Sequence, residues 1–221
     1  MRYLTALFLT TILSSTCFGQ PLKIQWDEYR DGWTDLMNAI YIDDLRSVSQ
    51  LLFDGADVNE KPTDYRSITN SAMEVAIYKQ NEKSVKILLE TKSVENLGEH
   101  LKIAARHQNA KIVRLLLEAG ADPNFSYSNG SIPLACAFIS GNLEILSALL
   151  EYGADVNVPI LHNDITLLMC FADRGSPEHV KLLLKFGANK YQRDKEFKSA
   201  YDYIKPSEAE TELRNLLAIN Q

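Results

Sequence analysis

Cysteine, proline and glycine are all scarce in this chain of 221 residues, which contains three cysteines, seven prolines and ten glycines. Three cysteines cannot form the disulfide framework that holds many small secreted domains together. The low proline and glycine content excludes a collagen-like or low-complexity chain, and a hydrophobic content of 46% excludes a disordered one. The composition is therefore that of an ordinary folded domain.

Positive charge is in deficit, because 29 aspartates and glutamates outnumber 23 lysines and arginines and leave a net charge of −6. Nucleic-acid phosphates and anionic membrane surfaces repel a protein with this balance. After residue 20, no apolar segment is long enough to cross a hydrocarbon layer of about 30 Å. We therefore expect no nucleic-acid partner and no membrane insertion.

Residues at catalytic or metal-binding spacing are missing as well. The chain has four histidines: His100, His107, His162 and His179. None lies within four residues of another or of a cysteine, whereas metal sites use short spacings such as Cys-x-x-Cys. No motif of a serine or cysteine nucleophile, or of a phosphate-binding loop, occurs in its usual context. The sequence predicts no metal, no cofactor and no catalytic residue, and thus a protein that is not an enzyme.

Residues 1–19 have the layout of a secretory signal peptide. One cation, Arg2, precedes an apolar run over residues 4–13, and small residues lead up to Gly19. Such a run is too short to span a bilayer but matches the apolar region of a signal peptide, about 7–15 residues long. We expect cleavage after Gly19 and export to the periplasm or the medium.

Two details of this N-terminal region complete the prediction. Residues 20–30 form a lead-in to the folded domain. Cys17 offers an alternative, because a lipid on this cysteine would anchor the protein. Residues 14–16, Ser-Ser-Thr, lack the leucine and small-residue pattern that precedes lipidated cysteines, so we favour cleavage.

The rest of the chain repeats itself with a period of about 33 residues. Leucine pairs begin at Leu51, Leu88, Leu116, Leu149, Leu183 and Leu216. The phrase Gly-Ala-Asp-x-Asn follows three of these pairs, beginning at Gly55, Gly120 and Gly153, and a weaker version begins at Gly187. A fixed period of this length indicates a protein built from stacked structural repeats.

One unit shows the physics of the repeat. Pro133 opens a short helix over residues 134–139, and Gly141 ends it. A second helix over residues 143–152 ends at Gly153, which adopts a left-handed conformation at little cost. One face of this second helix carries Leu143, Leu146, Leu149 and Leu150.

The segment after Gly153 is predicted to be a turn. Asp155 and Asn157 are expected to bend the backbone there through local side-chain hydrogen bonds. A single unit cannot bury its apolar face alone, so neighbouring units must stack into a solenoid.

These features together resemble the ankyrin-repeat family. The family pattern Gly-x-Thr-Pro-Leu-His, then alanine, glycine, paired leucines and Gly-Ala-Asp-x-Asn, is matched by residues 32–59 and 130–157. Other opening segments begin at Ser71, Glu99 and Thr166. A final segment over residues 199–203 resembles the closing cap of such arrays.

The resemblance implies an all-α solenoid of about six stacked helix–turn–helix units joined by β-hairpin loops, occupying residues 31–221. The implied repeats cover about residues 31–61, 68–93, 96–126, 129–159 and 163–193, with a C-terminal cap at 196–219.

The sequence departs from the family pattern in two ways. No opening segment keeps the family's histidine, so the hydrogen bonds which that histidine makes between turns must be lost or replaced. The second repeat lacks the Gly-Ala-Asp phrase. We expect an irregular hairpin around residues 61–67 and a shortened, tight one around residues 91–98, and we expect repeats two and three to be the place of a kink or of local opening.

Cys136 and Cys170 lie one repeat apart, in the same position of adjacent first helices. Stacked helices sit about 8–10 Å apart, whereas a disulfide needs Cα atoms about 4.4–6.8 Å apart. We expect both thiols to be buried and reduced.

The resemblance also implies a protein-binding concave face, formed by the loops and the exposed side of the first helix of each repeat. The residues placed there are Trp33, Tyr41, Tyr78, Lys79, Arg106, His107, Tyr127, Ile139 and Arg174. Trp, Tyr and Arg dominate the energetics of many protein interfaces. For Trp33 and Tyr41 a second interpretation is open, in which they only cap the core of the first repeat.

The function implied by the resemblance is binding to another protein without catalysis. An exported single module of this kind is similar in plan to immunity proteins that neutralise a toxin, and the partner would then be a toxin or effector enzyme. The alternatives are a stress-protective periplasmic partner and a secreted effector that binds host proteins. We expect a monomer when the protein is free, and the sequence does not identify the partner.

Overall fold

The computed structural model describes residues 32–63, 71–126 and 132–218 of the chain. These described residues divide into two compact units, a first unit up to residue 122 and a second unit from residue 123 onward. The helices of the first unit are α1 (Asp35–Tyr41), α2 (Leu45–Phe53), α3 (Ala72–Tyr78), α4 (Glu82–Glu90), α5 (Leu97–Arg106) and α6 (Ala110–Glu118). Those of the second unit are α7 (Pro133–Ser140), α8 (Leu143–Glu151), α9 (Leu167–Arg174), α10 (Pro177–Lys185) and α11 (Glu210–Leu217), with 3-10 turns at His162–Asp164 and Ala200–Tyr203.

The predicted all-α class is confirmed for the described part of the chain. The expected β-hairpin loops are represented in these ranges by a single antiparallel bridge between Pro159 and Thr166, and no strand forms around it. The predicted irregular loop at residues 61–67 lies partly outside the described residues.

Helix pairs stack within each unit. In the first unit, the first helices α1, α3 and α5 pack side by side, and the second helices α2, α4 and α6 pack on one another behind them. In the second unit, α7 packs on α8 and α9, and α9 also packs on α10 and on the 3-10 turn of the cap. Fully buried leucine, isoleucine, valine and alanine side chains fill the spaces between the helices.

Most second helices begin at a side-chain cap. Asp44, Asn81, Asn109 and Asn142 each accept a hydrogen bond from a backbone N–H in the first turn of the helix that follows. These bonds satisfy amides that have no partner inside the helix. Ser176 makes no such bond, and Pro177 begins α10 there instead.

The fourth repeat matches its predicted local structure except at Leu143. Pro133 is the first residue of α7, and Gly141 and Gly153 are left-handed with φ of 62° and 89°. Leu146 is fully buried, whereas Leu143 is 39% exposed, so its predicted place on the buried face is wrong. A helical side chain points back toward the preceding turn, and Leu143 has no preceding turn because it is the first residue of α8.

Asparagine side chains join successive repeats in the second unit. The Nδ2 atom of Asn124 donates to the carbonyl of Gly153 (2.9 Å), and its Oδ1 atom accepts from the amide of Asp155 (2.7 Å). Asn157 makes the same two bonds one repeat later, at 3.3 and 2.7 Å. Asp155 makes the predicted local turn, but the prediction for Asn157 is wrong because its side chain bonds the next repeat instead of its own.

The first unit has one bond pair of this kind. Asn59 donates to the carbonyl of Ser93 (2.7 Å) and accepts from the amide of Glu95 (3.0 Å), although the segment of the second repeat that contains Ser93 lacks the Gly-Ala-Asp phrase. The asparagine bonds therefore link successive repeats in both units.

The junction of the second and third repeats is irregular, as the sequence predicts. Lys92 and Asn96 adopt left-handed conformations, with φ of 57° and 53°. Helix α5 has ten residues, whereas α1 and α3 have seven, and its N-cap Asn96 makes no side-chain capping bond. The helix therefore starts almost one turn earlier than its counterparts.

Candidate protein-binding surfaces

Tyr41 is the centre of an aromatic cluster in the first unit. It is the last residue of α1, and its half-buried ring meets Trp33 edge to face with centroids 5.8 Å apart. The Nζ atom of Lys79, from the second repeat, lies 4.3 Å from the centre of the Tyr41 ring. A cation at this distance is attracted to the face of the ring. Trp33 is only 7% exposed, and this burial favours the interpretation that Trp33 caps the core of the first repeat.

Tyr78 occupies the same position at the end of α3 and contacts the third repeat. Its ring meets the ring of His107 edge to face, with centroids 4.7 Å apart. Tyr78 is half-buried, and burial is the main cause that raises its pKa. The carboxylate of Glu74 raises this pKa further, while the charge of Arg106 lowers it. The hydroxyl is therefore neutral at physiological pH.

His107 is also neutral at this surface. Burial lowers the pKa of its imidazole, and the adjacent charge of Arg106 lowers it further. The Nε2 atom of His107 is buried and has no hydrogen-bond partner among the described residues. The positive charge of this surface is therefore supplied by the exposed side chains of Lys79 and Arg106.

These five residues, which we call the first-unit surface, are Tyr41, Tyr78, Lys79, Arg106 and His107. They combine half-buried rings with exposed cations at the ends of successive first helices. Rings of this kind supply contact area that costs little conformational entropy, and the cations can pair with carboxylates. The arrangement suits recognition of a protein surface that is partly apolar and partly acidic.

Arg174, the predicted site residue at the end of α9, connects two repeats of the second unit. Its guanidinium donates to the carbonyl of Phe138 at 2.8 Å and lies 4.1 Å from the centre of the Phe138 ring. The same guanidinium lies 5.4 Å from the centre of the Phe171 ring. Burial lowers the pKa of Arg174. These contacts give Arg174 a structural role in addition to any role in binding.

His179 joins the same cluster and was not singled out from the sequence as a site residue. Its ring stacks on Phe171 at 4.2 Å, and its Nε2 atom lies 3.1 Å from the carbonyl of Gly141. Burial lowers the pKa of His179, and the Gly141 carbonyl acts in the opposite direction. The partners lie 8 and 38 residues away in the sequence, so no local pattern could indicate them. Of the remaining predicted residues, Ile139 is half-buried on α7, and Tyr127 lies outside the described residues.

His100 forms a buried polar contact between the second and third repeats. It is 5% exposed, and its Nε2 atom lies 3.1 Å from the hydroxyl of Ser71, the N-cap of α3. Burial lowers the pKa of His100 to about 4, with the backbone carbonyls of Asn96 and Glu95 acting in the opposite direction. The hydroxyl of Ser71 also accepts from the amide of Glu74 (3.2 Å). Since Ser71 is buried and caps a helix, this serine–histidine pair is structural.

The described residues offer three further findings on chemistry. They contain no group of three or more histidine, cysteine, aspartate or glutamate side chains that could hold a metal ion. None of their helices is both long and apolar enough to cross a membrane. Cys136 and Cys170 are buried and form no disulfide, as predicted, and burial raises the pKa of Cys170 to about 12.

Stacked helix pairs in which most second helices begin at the same kind of side-chain cap define a helical repeat protein. A family model for three copies of the ankyrin repeat matches residues 73–160, and a model for a single ankyrin repeat matches residues 163–195. The chain belongs to the ankyrin-repeat family. No curated protein matches it. The pair α1 and α2 precedes the matched residues but has the same capping arrangement, with Asp44 before the second helix.

Proposed function

We propose that this ankyrin-repeat protein is exported and binds a partner protein through its first-unit surface. Ankyrin repeats are protein-interaction modules, and the observation that carries the proposal is the ring and cation cluster around Tyr41 and Tyr78. Each ring contacts a side chain of the following repeat, so folding of the repeats fixes the surface before a partner arrives. A pre-organised surface loses less conformational entropy on binding.

We further propose that the partner is a toxin or effector enzyme and that the chain acts as its immunity or inhibitor protein. The layout of residues 1–19 supports export to the periplasm, where such an inhibitor would meet an incoming toxin. The alternatives are a stress-protective periplasmic partner and a secreted effector that binds host proteins. In each case the described surface would cover a partner, and the proposal assigns no catalytic residue to this chain.

Affinity capture from the native source tests the binding proposal. The bait is the chain from residue 20 onward, and the variant Arg106→Glu is used in parallel. We expect a partner protein that the wild type retains and the Arg106→Glu variant loses. The matched control is Lys86→Glu, since Lys86 is an exposed cation of the same unit on the second helix α4. Equal retention by all three baits would contradict the assignment of the surface.

Cell fractionation tests export separately. Expressed in full in a Gram-negative host, the protein should appear in the periplasmic fraction with a mass that corresponds to loss of residues 1–19. A cytoplasmic product of full mass would remove the basis for the immunity proposal, although the binding surface could still be correct.

A further inference from the structure

The loop of residues 190–198, which we call the Phe197 loop, exposes two aromatic side chains. Phe197 is 79% exposed, and Tyr191 is 55% exposed. Phe197 also has a backbone φ of 62°, in the left-handed region that bulky side chains rarely adopt. A large apolar side chain is therefore held outward on an unfavourable backbone.

The opening segment of the first repeat has a residue at the position that corresponds to Phe197 in the cap. Gly32 lies two residues before the N-cap Thr34 of α1 and has a φ of 80°. Phe197 lies two residues before Ser199, the N-cap of the 3-10 turn in the cap. The repeat thus uses a left-handed residue at this position, where glycine adopts the conformation without a steric cost. A phenylalanine in this left-handed conformation lowers the stability of the fold. Its ring offsets little of this loss, because the exposed ring buries little apolar surface.

The surrounding side chains enforce this conformation. The buried carboxylate of Asp194 accepts from the amides of Glu196 and Lys198, both at 2.8 Å, and from the hydroxyl of Tyr203. The guanidinium of Arg193 donates to the carbonyl of Phe197 at 2.6 Å. Backbone strain that the surroundings impose in this way is typical of binding sites.

The charge around Phe197 indicates what the loop can bind. Residues 190–198 contain four cations and two carboxylates. Lys198 pairs with Glu196 at 2.6 Å, Lys195 lies 3.7 Å from Asp164, and all of these side chains are partly exposed. Asp194 is buried and held by its hydrogen bonds. The loop is therefore locally basic on a chain whose net charge is −6. Such a patch attracts acidic groups and is enriched in the residue types of protein hot spots.

We propose that the Phe197 loop is a docking element, in which Phe197 enters an apolar pocket of a partner protein rimmed by carboxylates. The inference rests on the proposed protein-binding function and assigns it a second contact, in the second unit. A partner protein fits better than a lipid surface, because one exposed phenylalanine and one tyrosine offer little apolar area for insertion and the chain is acidic overall.

The variant Phe197→Gly tests whether the side chain serves binding or folding. Glycine relieves the left-handed backbone, and the lost ring contributes little because it is exposed. We expect the melting temperature to rise by about 2–4 °C. The matched control is Phe53→Ala, since Phe53 is the most exposed phenylalanine of the described residues and ends a normal helix. A lower melting temperature for Phe197→Gly would overturn the inference, because the ring would then stabilise the fold.

A phage-displayed library of random short peptides tests binding directly. We expect the wild type to select peptides in which acidic residues flank an aromatic or aliphatic residue. These peptides should bind Phe197→Gly at least about tenfold more weakly and should bind Phe53→Ala and Lys86→Ala as well as they bind the wild type, since both residues lie outside the proposed surfaces. Selection of no Phe197-dependent peptide would overturn the inference. Peptides that depend on Arg106 alone would do the same while leaving the proposed function intact.

Sedimentation with vesicles of anionic phospholipid tests the competing ligand. We expect the wild type to stay in solution. Co-sedimentation that Phe197→Gly abolishes would overturn the inference in favour of a lipid surface.

Discussion

The residue before the cap of each second helix is left-handed in all five helix pairs of the described chain. Gly141 and Gly175 occupy this position in the second unit, whereas Asp43, Gln80 and Gln108 occupy it in the first, with φ between 52° and 62°. A side chain with a Cβ atom pays a steric penalty in this conformation, and glycine does not. The first unit therefore carries three unfavourable residues that the second unit avoids.

Replacing one of them should stabilise the protein. We expect Gln108→Gly to raise the free energy of unfolding by about 0.5–1 kcal/mol, the relief of strain exceeding the greater flexibility of glycine in the unfolded chain. Urea denaturation measures this difference. The control is Gln108→Ala, which keeps the Cβ atom. If Gln108→Gly is no more stable than Gln108→Ala, the left-handed backbone at this position carries no strain.

Buried His100 makes stability depend on pH. In the folded chain burial lowers its pKa to about 4, whereas in the unfolded chain the pKa is about 6.5. Above pH 6.5 both states are neutral, and as the pH falls toward 4 only the unfolded state gains a proton. The folded state should therefore lose about 2–3 kcal/mol between pH 7 and pH 4.5 from this group.

The variant His100→Gln isolates this contribution, because His107 and His179 also have lowered pKa values. Urea denaturation at both pH values should show a smaller loss of stability for His100→Gln than for the wild type. Parallel losses in the two proteins would mean that His100 is not buried as described.

At the level of elements, the asparagine bonds are a recurring polar link between repeats. Asn157 satisfies two backbone groups of the next repeat with one side chain. Removing it leaves both without their partner, and each lost hydrogen bond costs about 0.5–1.5 kcal/mol. We expect Asn157→Ala to lower the free energy of unfolding by about 1–3 kcal/mol and to speed hydrogen exchange at the amide of Asn189.

The control for this prediction is Asn215→Ala, since Asn215 is an exposed asparagine of α11. Its substitution should change stability by no more than about 0.5 kcal/mol. If both variants are destabilised equally, the asparagine bonds do not link the repeats.

The elements also show which features a sequence can predict. Pro133, Gly141 and Gly153 act on their own backbone, so the helix bounds of the fourth repeat follow from local rules. The buried contact of His100 does not, because its partner Ser71 is 29 residues away in the sequence. The same limit applies to the surfaces: the ring pair of Tyr78 and His107 is a contact between repeats, so only their residue types could suggest it.

At the scale of the whole molecule, each unit exposes its own combination of rings and cations. The first unit has the first-unit surface, and the second has the Phe197 loop, which sequence reasoning missed because exposure is a property of the folded chain. Both are basic features of a chain with a net charge of −6. Acidic groups of a partner would be drawn to these two places and repelled elsewhere.

The most direct test of the binding function is a calorimetric titration with the partner identified by capture. We expect Arg106→Ala to weaken binding by about 1–2 kcal/mol, or roughly five- to thirtyfold, with an unchanged melting temperature, because Arg106 is exposed. Lys86→Ala should leave the affinity unchanged. If Lys86→Ala weakens binding and Arg106→Ala does not, the partner binds the second helices, and the rings of the first-unit surface serve the fold alone.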